Sequence, residues 1–63
     1  MTQDDRMSLF CGQLADNKEK LGLSAFEYGF AEDNRFTFNF SPRMKKVVLG
    51  LMNKYAKKIG WKE

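Results

Sequence analysis

Few residues in this chain are equipped to do chemistry. Its 63 residues include no histidine and one cysteine, Cys11. Without histidine, the usual general base at neutral pH and the commonest zinc ligand are both missing. One cysteine cannot close an intrachain disulfide. Cys11 falls on the apolar face of a predicted helix with no cation placed to stabilise a thiolate, so it reads as a buried structural thiol. The carboxylates Asp4, Asp5, Asp16, Glu19, Glu27, Glu32 and Asp33 are scattered over caps and turns. No pair of them is visibly enclosed. A chain of this length also has little room for a pocket of several hundred Å³. The expectation is a protein that is not an enzyme and uses no cofactor, no metal and no small-molecule substrate.

The positive charge is better organised. Net charge is +3, but residues 1–40 carry four basic and seven acidic side chains, whereas residues 41–63 carry seven basic and one acidic. On a helix over the second segment, Arg43, Lys46, Lys54 and Lys57 fall within about 80° of one another, away from the apolar side, over about 21 Å. Gly50 lies mid-stripe, where a missing side chain would let a phosphate backbone or another helix come close. Asn53 borders it and has the amide geometry to pair with an adenine edge. Four phosphate contacts would give a log–log salt slope of about −3.6 on B-DNA. The competing readings are an acidic protein surface and an ordinary solvated lysine face.

The third grouping is aromatic. Six of the nine aromatic residues lie between Ser24 and Phe40. Phe26, Tyr28 and Phe30 alternate with small or polar residues, and the alternation resumes at Phe36, Phe38 and Phe40. Period-two alternation predicts strands over about 25–31 and 35–40, joined by the loop Glu32-Asp33-Asn34. Pairing Phe30 with Phe36, Tyr28 with Phe38 and Phe26 with Phe40 brings both rows to one face, where they serve as core rather than as a base-stacking platform. The opposite face, with Glu27, Gly29, Thr37 and Asn39, is left open to a partner, as are the strand edges. A competing pattern runs through the same residues. Ser24-x-x-Glu27 fits a capping box and Phe26 and Phe30 are four apart, which would suit a short helix over 25–32. Phe, Tyr and Gly are poor helix formers, and the hairpin is the preferred reading.

Helices position the rest. Met7, Phe10, Cys11 and Leu14 follow at helical spacing after the N-cap candidates Thr2, Asp4 and Asp5, predicting a helix over about 4–20. Asp16-Asn17 marks a point where it could end early. Gly22 with Leu23 after it suits a left-handed C-cap. Ser41-Pro42 opens a helix over about 42–59, whose core face is Met44, Val47, Val48, Leu51, Met52, Tyr55 and Ile59, stopped by Gly60. Trp61 follows that stop, either folded back on the core or exposed as an anchor. Lys20-Leu21-Gly22-Leu23-Ser24 resembles the turn of a helix-turn-helix motif, but Lys18 stands where a small residue is usual and the next segment alternates like a strand.

These elements predict one domain, residues 1–63, of the α+β class: a two-layer α-β-β-α arrangement with both helices on one face of an aromatic antiparallel hairpin. No apolar run is long enough to cross a membrane, and no signal-peptide or lipidation pattern is present, so the chain is expected to be cytoplasmic. Starting at Met1, it reads as a complete small product. The function expected is that of a regulatory binding protein docking on nucleic acid through Arg43, Lys46, Gly50, Asn53, Lys54 and Lys57. The alternative is a protein inhibitor or adaptor, of the kind compact phage or mobile-element genes encode. It would act through the same helix, through Trp61, or through the hairpin face at Glu27 and Asn39. A domain this small is also a candidate homodimer.

Overall fold

Capping chemistry sets the element boundaries in the computed structural model of the protein, which describes residues 2–61. Thr2 caps helix α1 (Gln3–Asp16): its hydroxyl accepts from the Asp5 N–H at 3.2 Å, and the Asp5 carboxylate accepts from the Thr2 N–H at 3.2 Å. That reciprocal pair is a capping box. The helix breaks at Asn17, whose side-chain amide donates to the Gln13 carbonyl at 2.7 Å. A single further turn, α2 (Lys18–Leu21), ends at Gly22. There φ is +64°, and the Leu23 N–H reaches back to the Lys18 carbonyl at 3.1 Å. Only glycine adopts that backbone at no steric cost, and buried Leu23 supplies the apolar follower of the motif.

The next segment corrects the sequence reading. Residues 25–31 are not a strand but most of a third helix, α3 (Ala25–Asn34), and no strand occurs among the described residues. The fold is therefore all-helical, not α+β, and the second predicted strand, 35–40, is an irregular connection. Two physical reasons favour the helix. Ser24 and Glu27 form a complete capping box, with the Ser24 hydroxyl accepting from the Glu27 N–H at 3.1 Å and the Glu27 carboxylate accepting from the Ser24 N–H at 3.0 Å. A lone hairpin with no third strand, by contrast, leaves its outer backbone groups to water and is marginal by itself. The capping-box pattern outweighed the poor intrinsic propensities of Phe, Tyr and Gly, which differ from better helix formers by only about 1 kcal/mol or less per residue.

Asn34 ends α3. Its amide donates to the Phe30 carbonyl at 2.9 Å, its side-chain oxygen accepts from the Thr37 hydroxyl at 2.9 Å, and its own carbonyl accepts from the Thr37 N–H at 3.2 Å. Buried Phe40 closes the connection, its N–H donating to Asp4 at 3.4 Å. Helix α4 (Pro42–Tyr55) then opens as the sequence indicates, with Ser41 accepting from the Met44 N–H at 3.2 Å and Pro42 in the first turn. Its last residues tighten into a 3₁₀ turn (Ala56–Ile59), which stops at Gly60 with φ +69°.

Helix α1 is the centre of the core. Met7, Phe10, Cys11 and Leu14 are almost completely shielded and repeat at helical spacing. Around them pack Ala31 of α3, Phe40 of the connection, and Val48, Leu51 and Tyr55 of α4. Tyr28 and Phe30 are half-buried against this cluster, but Phe26, Phe36 and Phe38 are exposed. The predicted aromatic rows therefore do not form: α3 turns Phe26, Tyr28 and Phe30 through 100° steps instead of alternating them, and Phe36, Phe38 and Phe40 lie in an irregular connection with no partner strand. Ala31 is fully buried where α3 meets α1, its small size allowing the two backbones to approach.

Replacing Ala31 with Leu tests this arrangement. Overpacking the α1–α3 contact is expected to lower stability by about 1–3 kcal/mol, read as a drop in the urea midpoint. A loop-closing alanine in a hairpin would accept leucine with no change in midpoint.

Candidate functional site on the outer face of α4

The inner face of α4 fixes what its outer face presents. Val48, Leu51 and Tyr55 are buried, and Met44, Val47, Met52 and Ile59 are partly so, which turns Arg43, Lys46, Gly50, Asn53 and Lys57 outward into solvent. Arg43, Lys46 and Lys57 make no ion pair among the described residues. Arg43, Lys46 and Gly50 are thus brought together on one exposed face of α4, Lys57 is exposed on the 3₁₀ turn that follows, and one member is set apart.

That member is Lys54. Its ammonium donates to Glu27 Oε2 at 3.1 Å, and the Tyr55 hydroxyl donates to Glu27 Oε1 at 2.9 Å. Lys54 sits on the flank of the stripe that faces α3, still well exposed but neutralised. Lys45, not counted in the stripe, is held on the other flank by Asp4 at 3.9 Å.

Gly50 has a particular status. A methyl group built there would touch nothing, and its φ is not in the left-handed region. Neither packing nor backbone geometry demands a glycine, although one in mid-helix costs about 1 kcal/mol relative to alanine. The same is true of Gly29, mid-way along α3.

The remaining site residues of the sequence reading fare differently. Glu27 and Asn39 were expected on an open hairpin face. That face does not exist, because Glu27 is a helix cap turned inward to α4 and Asn39 lies exposed in the 35–41 connection. Trp61 folds back: its ring meets Phe10 edge-on at 5.3 Å, and the Arg6 guanidinium lies 5.6 Å from its centroid. Sequence reasoning missed two features. One is Arg35, which bridges Asp16 and Glu32 at 3.1 Å each and so joins α1 to the end of α3. The other is the exposure of Phe26 (67%), Phe36 (78%) and Phe38 (78%). The i,i+4 spacing of Phe26 and Phe30 was the available signal for the first of these rings.

Electrostatics follow the contacts. The Ser24 backbone N–H, then Lys54, hold the Glu27 carboxyl down from its ordinary 4.5 to about 2. The hydrogen bond to Glu27 in turn raises Lys54, and the one to Asp16 raises Arg35. Burial pushes the Cys11 thiol up to about 11, the opposite of what a nucleophile needs. No three His, Cys, Asp or Glu side chains among the described residues are grouped to hold a metal ion, and no described helix is long and apolar enough to cross a membrane.

Comparison with known protein families, characterised proteins and solved structures finds no match in any of the three.

Glu27 generates a pH prediction. Its folded-state value is depressed, so its contribution to stability is complete above about pH 4.5 and is lost as pH falls through about 2. The variant E27Q is expected to be less stable than wild type at pH 7 and to show a flatter decline in thermal midpoint over that acid window. Parallel declines in the two proteins would remove Glu27 from this role.

Proposed function

We propose that the protein is a non-enzymatic binding module that docks on nucleic acid through the outer face of α4. The observation that carries this reading is the exposed row Arg43, Lys46 and Lys57, unpaired among the described residues and arranged around a glycine that the fold does not require. Unpaired cations on a rigid helix match the spaced negative charges of a phosphate backbone, and binding releases the backbone's counterions. Gly50 would let that backbone approach the helix axis where a side chain would hold it off. Asn53, next to the row, supplies a donor and an acceptor for a base edge.

The helix after the Gly22 turn does not take this role. Helix α3 carries Glu27, Glu32 and Asp33 and no basic residue, a charge that repels phosphate. Exposed Phe36 and Phe38 favour a second reading, a protein partner, since rings left bare at the surface are frequent interaction anchors. In that reading the basic face of α4 steers the module onto an acidic protein surface.

Fluorescence anisotropy against short oligonucleotides, titrated with salt, tests the first reading. With Lys54 committed to Glu27, three phosphate contacts are expected on a duplex, giving a log–log slope of about −2.7. The double variant K46E/K57E is expected to abolish binding and leave the helical circular dichroism unchanged, because both side chains are exposed. Absence of binding at low salt would overturn the nucleic-acid reading.

Gly50→Ala separates fold from function. It is expected to stabilise α4 by about 1 kcal/mol and raise Tm by about 4–8 °C while weakening oligonucleotide binding. Tighter or unchanged binding would show that the glycine serves no close approach.

A further inference from the structure

The start of α3 meets the end of α4 through Glu27, which touches Lys54 and Tyr55, and the end of α3 runs through residues 35–41 into the start of α4. Phe26, one residue before Glu27, therefore lies at the level of Lys54. Its direction around α3 follows from two other contacts. Tyr28 lies under the Lys18 ammonium, 4.4 Å from the ring centroid, and Arg35 reaches Asp16, so both mark the flank of α3 that meets α1 and α2. At 100° per residue Phe26 sits about 160° from Tyr28, on the flank away from α1 and α2, where it is exposed. On α4, Arg43 and Gly50 lie within about 40° of Lys54, the residue that meets Glu27.

The Phe26 ring is thus an exposed aromatic face near the Lys54 end of the basic row. It is also braced. Phe30, one turn on and half-buried in the core, stacks behind it with ring centroids 6.2 Å apart and planes 29° apart. A large apolar ring that is 67% exposed, yet held by a core residue, contributes little to the fold where it stands. What it offers is a fixed π surface of the kind on which a nucleobase stacks.

We infer that Phe26 is a base-stacking platform and that the α4 site selects single-stranded over duplex nucleic acid. This rests on the reading of α4 as a nucleic-acid face. A base laid on Phe26 directs its phosphates past the Glu27–Lys54 pair onto Gly50, Lys46 and Arg43. The bases of a duplex are already stacked on one another and cannot reach the ring without unpairing. The Glu27 charge beside the ring is neutralised by Lys54. Exposed Asp33, two turns farther along α3, disfavours a path along that helix and directs the strand across to α4.

The test compares one labelled oligonucleotide of mixed sequence, as a single strand and as its duplex, by anisotropy at low salt. The variants are F26A, F26L and F26W, with L9A on the outer side of α1 as an exposed apolar control. Wild type is expected to prefer the single strand. F26A and F26L are expected to lose about tenfold in single-strand affinity with duplex affinity unchanged, and F26W to retain it. L9A is expected to bind as wild type. Wild-type affinity in F26L, or equal losses on single strand and duplex in F26A, overturns the stacking role and leaves the basic face standing. Failure of the wild type to bind either form overturns the nucleic-acid reading itself, and the platform with it. Far-ultraviolet circular dichroism of each variant confirms that the comparison is between folded proteins.

Discussion

The carboxylate of Glu27 joins the levels of this structure. One oxygen accepts both from the Ser24 N–H, closing the first turn of α3, and from the Tyr55 hydroxyl; the other accepts from the Lys54 ammonium. A single side chain thus ends one helix and fastens it to the last turn of another. The arrangement is coherent because a helix N-terminus favours negative charge, so the dipole of α3 and the cation on α4 act on the carboxylate in the same sense. Tyr55, meanwhile, is a buried core residue whose hydroxyl needs an acceptor, and Glu27 provides it.

At the other end of α3, Arg35 does comparable work. It holds Asp16 at the end of α1 and Glu32 in its own helix. Its guanidinium also lies 5.6 Å from the Phe36 ring centroid. Such exposed pairs are individually weak. Their importance here is positional, because a domain of this size buries only about 60% of its unfolded surface and has one shallow core to orient three helices. Met7, Phe10, Cys11 and Leu14 provide the cohesion, and the ion pairs at the two ends of α3 fix its direction across them.

The consequence is a surface divided by chemistry. Helix α3 turns small and acidic residues outward, α4 turns basic ones outward, and exposed rings stand at α3's first turn and in the 35–41 connection. The charges that hold the fold together, Glu27, Lys54, Asp4, Lys45, Asp16, Glu32 and Arg35, are consumed in pairs. Those left over on α4 share one sign. That separation between structural and surplus charge leaves α4 with an unbalanced basic face.

Sequence alone determined α4 and its basic row. Its apolar positions repeat every 3.6 residues over four turns between Ser-Pro and Gly, and no strand can satisfy that period. It likewise determined the stops at Gly22 and Gly60 and narrowed the first cap to Thr2, Asp4 or Asp5, because these depend on local hydrogen bonds and on the backbone freedom of glycine. The segment 24–40 was not decidable that way. Its aromatics satisfy a period of two, its Ser24 and Glu27 satisfy a capping box, and the local energies differ by about 1 kcal/mol. Tertiary contacts chose the helix: Glu27 reaches Lys54 and Tyr55, Ala31 fits against α1, and Arg35 reaches Asp16, all distant in sequence. Those same contacts decided which rings are core and which are surface. That division depends on where a neighbouring helix lies, information that no local pattern of residues contains.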